Sequence, residues 1–210
     1  LLADIALGFR YIRANRPVLI CLLFGLLPMF LAMPFQNILV MLAEQAWNVG
    51  ESGVGTLMAT GGAGGVVGAL WVVKRGDDAG RMKMMLGSTV GFGICLAIFV
   101  LTPVFTLALL PLLAANVFAN ASQTVNNAAI QLLVDDKMRG RMSSFMMLSF
   151  GLTPIGVFPM AIVADSFGAV SAILGASALL IAITIVFFLL SKTLRALDRS
   201  IDEAMLARTA

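Results

Sequence analysis

PVLICLLFGLLPMFLAMPFQNILVMLAEQAWNVGESGVGTLMATGGAGGVVGALWVV, residues 17–73, runs for 57 residues without a lysine or arginine. A helix needs about 20 apolar residues to cross a bilayer, so this stretch is long enough to cross, turn and return. Residues 84–136 and 142–191 have the same property. All 14 basic residues fall into four clusters around these stretches: Arg10–Arg16, Lys74–Lys83, Lys137–Arg141 and Lys192–Arg208. Basic residues mark the cytoplasmic side of a membrane protein. The pattern therefore predicts an all-α membrane protein with six transmembrane helices in three hairpins and both termini cytoplasmic.

Composition agrees. The chain is 60% hydrophobic and 12% charged, with a mean hydropathy of +1.00. A soluble domain carries roughly twice that charge, so lipid must face much of the apolar surface. The net charge of +3 does not point to nucleic acid, because topology already accounts for the position of every base. Cys21 and Cys95 lie inside apolar runs, and no metal-ligand spacing occurs.

Residues 1–16 read as an amphipathic linker helix on the cytoplasmic surface, with Leu2, Ile5, Phe9 and Ile12 at helical spacing among arginines. The chain starts at Leu1 without a signal-peptide pattern, and an upstream segment is expected. The transmembrane bundle occupies 17–191, with spans at about 17–43, 53–73, 84–101, 104–134, 142–163 and 169–191. Pro28 and Pro34 are expected to kink the first span. The loop Glu44–Ser52 holds two acids and no base, as expected outside. Gly61 and Gly65, and Gly64 and Gly68, stand four apart in the second span, a spacing that lets helices approach closely. A turn at Asp165–Gly168 precedes the last span. The tail, 192–210, repeats Leu194, Leu197, Ile201 and Met205 on one face and is expected near the membrane surface.

The fourth span carries the strongest functional signal. Asn116, Asn120, Gln123, Asn127 and Gln131 fall on one stripe about 80° wide at 100° per residue. Carboxamides facing lipid would each leave hydrogen-bonding groups unsatisfied, at about 1–3 kcal/mol or more. They must face a neighbouring helix or an aqueous cavity. Helix–helix contacts need one or two such groups, and five in series favour the cavity. Gln36 and Asn37, just after Pro34, are candidates for the same cavity. Among the 13 methionines, whose flexible side chains adapt to varied apolar ligands, Met146 and Met147 are the ones to follow. No acid or base stands in mid-span, so no proton relay is expected at depth. Histidine is absent, as is a nucleotide-binding glycine loop. An enzyme, a cofactor and a metal site are therefore not expected.

These features together resemble the C-terminal six-helix half of the major facilitator superfamily, and the resemblance covers nearly the whole chain. Gly8-Phe9-Arg10-Tyr11-Ile12 through Pro17 is similar to the linker entering the seventh helix of that fold. Gly61-Gly62-Ala63-Gly64-Gly65 with Gly68-Ala69-Leu70 resembles the eighth. Asp77-Asp78-Ala79-Gly80-Arg81-Met82-Lys83 resembles the cytoplasmic signature between helices eight and nine. Asp78 and Met82 stand where that signature has bases, and Val73 where it has glycine. Arg139-Gly140-Arg141, Gly151-Leu152-Thr153-Pro154-Ile155-Gly156, Ala164-Asp165 and Gly168 resemble helices ten to eleven of bacterial drug and siderophore exporters. The resemblance implies half of a proton-driven exporter of small amphipathic molecules in the inner (plasma) membrane. It implies a gating loop with Asp77, Gly80 and Arg81, and a missing N-terminal six-helix half or a second copy as partner, since two halves rock about a central site. A non-transport six-span scaffold or assembly subunit is the alternative; it would have no use for five inward-facing amides.

Overall fold

A computed structural model describes residues 12–13, 15–75, 80–134, 138, 140, 142–144, 147, 151, 153–198 and 201. Its regular elements are helices: α1 (Arg16–Leu31), a 3₁₀ segment (Met33–Ile38), α2 (Leu39–Leu42), a π turn (Ala43–Trp47), α3 (Gly50–Arg75), α4 (Arg81–Leu101), α5 (Phe105–Leu133), α6 (Thr153–Phe167), α7 (Ala169–Leu190) and α8 (Lys192–Arg195). Among the described residues five helices are long and apolar enough to cross a membrane: Arg16–Trp47, α3, α4, α5 and α7. The expected span at 142–163 is represented by α6, a shorter apolar helix of 15 residues. Residues 138, 140, 142–144, 147 and 151 before it are also helical.

Pro17 sits in the first turn of α1, where its missing N–H has no helical partner to lose. Pro28 lies inside regular helix, and the break comes later, at Pro34. Proline at that position cannot bond the carbonyl of Phe30, and the chain passes into the 3₁₀ segment. Gly156 of α6 lies against that carbonyl: a Cβ there would stand 2.6 Å from Phe30 O. The loop expected at Glu44–Ser52 is shorter than its sequence suggests. Helical turns continue to Trp47, Asn48 reverses the chain at φ 52°, and α3 starts at Gly50. Likewise α6 continues through Asp165 to Phe167, leaving Gly168 at φ 86° as the turn.

In the bundle α5 packs along both α3 and α4, α4 also packs on α7, and α7 on α6. Two apolar cores result. One lies toward Trp47 and Thr102, and gathers Phe35, Leu42, Leu57, Phe92, Leu96, Phe99, Leu112 and Ile173. The other lies at the end carrying the basic clusters, and gathers Ile12, Val18, Cys21, Phe24, Met85, Val125, Ile130 and Val134. In lipid the hydrophobic effect does not drive helices together, so close packing and polar contacts must. At the first end Trp47 donates from Nε1 to Thr102 O at 3.0 Å and stacks near Phe99 and Phe105. Nearby, Gln45 Oε1 accepts from the Ala169 amide at 3.3 Å and so caps α7.

The tail differs from expectation. Leu194, Leu197 and Ile201 are fully buried in the second core instead of resting on the membrane surface. Their one-sided spacing fits a groove between helix ends as well as it fits a lipid surface, and the groove offers closer packing. Met205, Asp77 and Met146, and most of the linker 1–16, lie outside the described residues.

Candidate functional site

Helix α3 approaches α5 through glycine. Gly64 and Gly68 are buried. A Cβ on Gly64 would stand 2.6 Å from Leu113 O, and one on Gly68 would overlap Val117 O. The same face brings Gly61 to Asn116 and Gly65 to Asn120, where added Cβ atoms would lie 3.4 and 3.1 Å from the carboxamide nitrogens. All four glycines expected to mediate helix packing therefore meet α5.

Beside this contact lies a cavity of about 640 Å³. Its hydrogen-bonding side chains are Gln36 from the 3₁₀ segment and Asn116 and Asn120 from α5. Phe35, Leu39, Leu57 and Leu112 form an apolar floor, and Gly61, Gly62 and Gly65 form a wall without side chains. Met58, Gly62, Val66 and Ala69 on its rim are exposed, so the cavity opens sideways beyond α3. Asn116 Nδ2 donates to Leu112 O at 3.0 Å, and Asn120 Nδ2 to Asn116 O at 3.1 Å. Each amide thus satisfies part of its own hydrogen bonding along α5. Such a site can hold a mixed apolar and hydrogen-bonding ligand without a counter-charge.

The predicted stripe divides in two. Asn116 and Asn120 reach the cavity, whereas Gln123 and Asn127 pair with each other at 3.4 Å and do not line it. Gln131 is exposed. Asn37 is exposed, donates to Pro34 O at 3.4 Å and also stays off the lining. A helix 29 residues long outruns a pocket formed beside the broken end of α1, so only one end of the stripe meets it. Arg81 and Gly80 stand at the start of α4 and do not line the cavity. Among the described residues no three metal-ligating side chains come together.

Sequence reasoning missed Asn126. It is 3% exposed, its Nδ2 presses on the backbone of Gly25 in α1, and its Oδ1 has no partner. Its signal was the four-residue spacing from Ser122, a second polar line on a different face of α5. Ser122 Oγ lies 2.6 Å from Thr89 Oγ1. Ser122 Oγ also lies 3.4 Å from Met85 O, so the hydroxyl pair joins α4 to α5.

The sequence matches the Major Facilitator Superfamily over residues 18–206. The chain belongs to that family and is a multi-pass membrane protein. The Staphyloferrin A transporter of Staphylococcus aureus (strain NCTC 8325 / PS 47) is 30% identical over 143 residues. The match takes in 67% of this chain and 35% of that relative, so the chain spans well under two thirds of the relative's length. No solved structure matches the chain significantly.

Proposed function

We propose that this chain is the C-terminal half of a secondary transporter in the inner membrane, which exports small amphipathic molecules by alternating access under a proton gradient. Six spans with cytoplasmic termini fit the placement of the bases, and the described part of the fifth is α6 with the helical residues before it. The observation that carries the reading is the sideways-open cavity with Gln36, Asn116 and Asn120. A cavity in a membrane protein that opens beyond a bundle of this kind needs an opposing wall.

The surface of α3 supports a protein wall in place of lipid. Gly55, Ala59, Gly62 and Ala63 are exposed on it, small residues of the kind that let another helix dock, beside the larger Met58, Val66, Val67, Leu70 and Val73. An N-terminal six-helix half is the partner, with a second copy as the alternative. No acid lines the cavity, and Glu44, Glu51 and Asp165 are exposed at the end away from the basic clusters. The carboxylate that couples proton flow therefore belongs to the opposing half. The relative's name makes staphyloferrin A the first cargo to test.

The test uses the native polypeptide as encoded and a panel of candidate cargoes headed by staphyloferrin A. Asn116→Leu and Asn120→Leu should each change relative transport across the panel several-fold, with protein levels near wild type. Gln131→Leu, outside the cavity, should leave the profile unchanged. Equal profiles for all three variants would remove the cavity from the transport path.

A further inference from the structure

Among the described residues, a carboxylate from the tail stands at the start of α4. Asp198, from the tail, accepts a hydrogen bond at Oδ1 from the Met82 backbone amide at 2.9 Å, across 116 residues of sequence. Helix α4 has Gly80 at its N-cap position and no side-chain cap of its own. The first turn of any helix presents unpaired N–H groups and the positive end of the dipole, so a carboxylate there makes a charge-assisted bond. Gly80 adopts φ 33°, and a Cβ on it would stand 3.5 Å from Asp198 Oδ2. The positive φ is what calls for glycine here; a Cβ would make only ordinary contact with Asp198.

The tail is held where it can do this. Ser191 Oγ accepts from the Leu194 amide at 3.1 Å, which starts α8. Leu194, Leu197 and Ile201 then pack, fully buried, among Ile12, Val18, Met85, Val134 and Met142. Residues from the start of α1, the start of α4, the end of α5 and the chain beyond it share this core with the tail. Val72, near the end of α3, packs against the same cluster. Only residues 76–79 separate α3 from Gly80.

We propose that the tail is a clamp across these helix ends and that Asp198 is its positioning residue, holding the start of α4 to the tail so that the cavity wall α3 moves with α4 and α5 as one body. The inference rests on the transport reading only for the meaning of access to the cavity; the cap itself does not depend on it.

Two measurements on the native polypeptide test it, and neither needs a substrate. The first is hydrogen exchange at the Met82 amide. The second is labelling of Val66→Cys, on the exposed cavity rim, by an impermeant thiol reagent applied from the basic face, with Cys21 and Cys95 replaced by Ala. Asp198→Ala should raise Met82 exchange about five-fold, the effect of one lost helix cap, and change the Val66→Cys labelling rate at least three-fold. Asp198→Asn, which keeps an acceptor oxygen, should fall between wild type and Asp198→Ala on both measures; it is the variant to read should Asp198→Ala fail to accumulate. Faster exchange with unchanged labelling would reduce Asp198 to a local cap and overturn the clamp. Unchanged exchange would overturn the cap as well. A failure of transport in the cargo panel, with both of these responses intact, would count against the transport reading alone.

Discussion

Helices α3 and α7 are buried to almost the same small extent, 17% and 22% of their most apolar stretches. Both expose large apolar side chains, Met58, Val66, Val67, Leu70 and Val73 among them on α3, but α3 exposes more small residues beside them. The exposed positions of α7 include Leu179, Ile185, Val186, Leu189 and Leu190, with the hydroxyls of Ser177 and Thr184 turned inside. That is a surface made for acyl chains. The exposed positions of α3 include Gly55, Thr56, Ala59, Gly62 and Ala63, and Thr56 and Thr60 bond back to their own helix at 2.9 and 2.8 Å. Small side chains give lipid little contact but let another helix come close. On the proposed reading, equal exposure in this chain has two meanings: α7 faces acyl chains, and the small-residue face of α3 faces a second protein wall.

The largest expected difference between the two helices lies on the face of α3 that is already filled. Gly64→Leu or Gly68→Leu drives a side chain into the backbone of α5 and should cost about 1–3 kcal/mol or more by overpacking. Gly175→Leu on α7, with nothing within 4 Å of an added Cβ, should cost little. The fraction of monodisperse protein surviving a thermal challenge in detergent measures both. Equal losses would mean that α3 and α5 do not meet through glycine.

The open face of α3 should respond differently. Gly62→Leu also meets nothing within 4 Å, so this chain expressed alone should tolerate it. In the native polypeptide the same change should reduce transport about ten-fold or more, about 1.4 kcal/mol of lost docking. Ala182→Leu, exposed on α7, should be silent in both settings. Tolerance of Gly62→Leu in both would return this face to lipid.

The smallest effect concerns polar contacts. Thr89→Val removes the hydroxyl that lies 2.6 Å from Ser122 Oγ inside the bundle and should destabilise by about 1 kcal/mol. Thr60→Val on α3 breaks only a bond to its own helix and should fall within about 0.5 kcal/mol of wild type. The same thermal assay ranks them, and a reversed order would show that the buried hydroxyl pair contributes less than its geometry implies.

Much of this was legible in the residues alone. The absence of bases from 17–73, 84–136 and 142–191 marks membrane helices because a charge in hydrocarbon is costly wherever the chain folds. The four-residue spacing of Gly61, Gly64, Gly65 and Gly68 marks a close contact because helical periodicity is local geometry. Five amides on one stripe mark a surface that avoids lipid for the same reason. What periodicity cannot say is which neighbour a face meets. Only the tertiary structure decided that Asn116 and Asn120 share a cavity with Gln36 while Gln123 and Asn127 satisfy each other, because that depends on where α1 breaks against α5. Only it decided that Asn126 faces Gly25, and that the tail's apolar stripe enters the second core with Asp198 on the end of α4. Apart from the Gln123–Asn127 bond, four residues apart on one helix, each of these is a contact between segments tens of residues apart, and no local rule of spacing or charge fixes which of several suitable surfaces will be the one that packs.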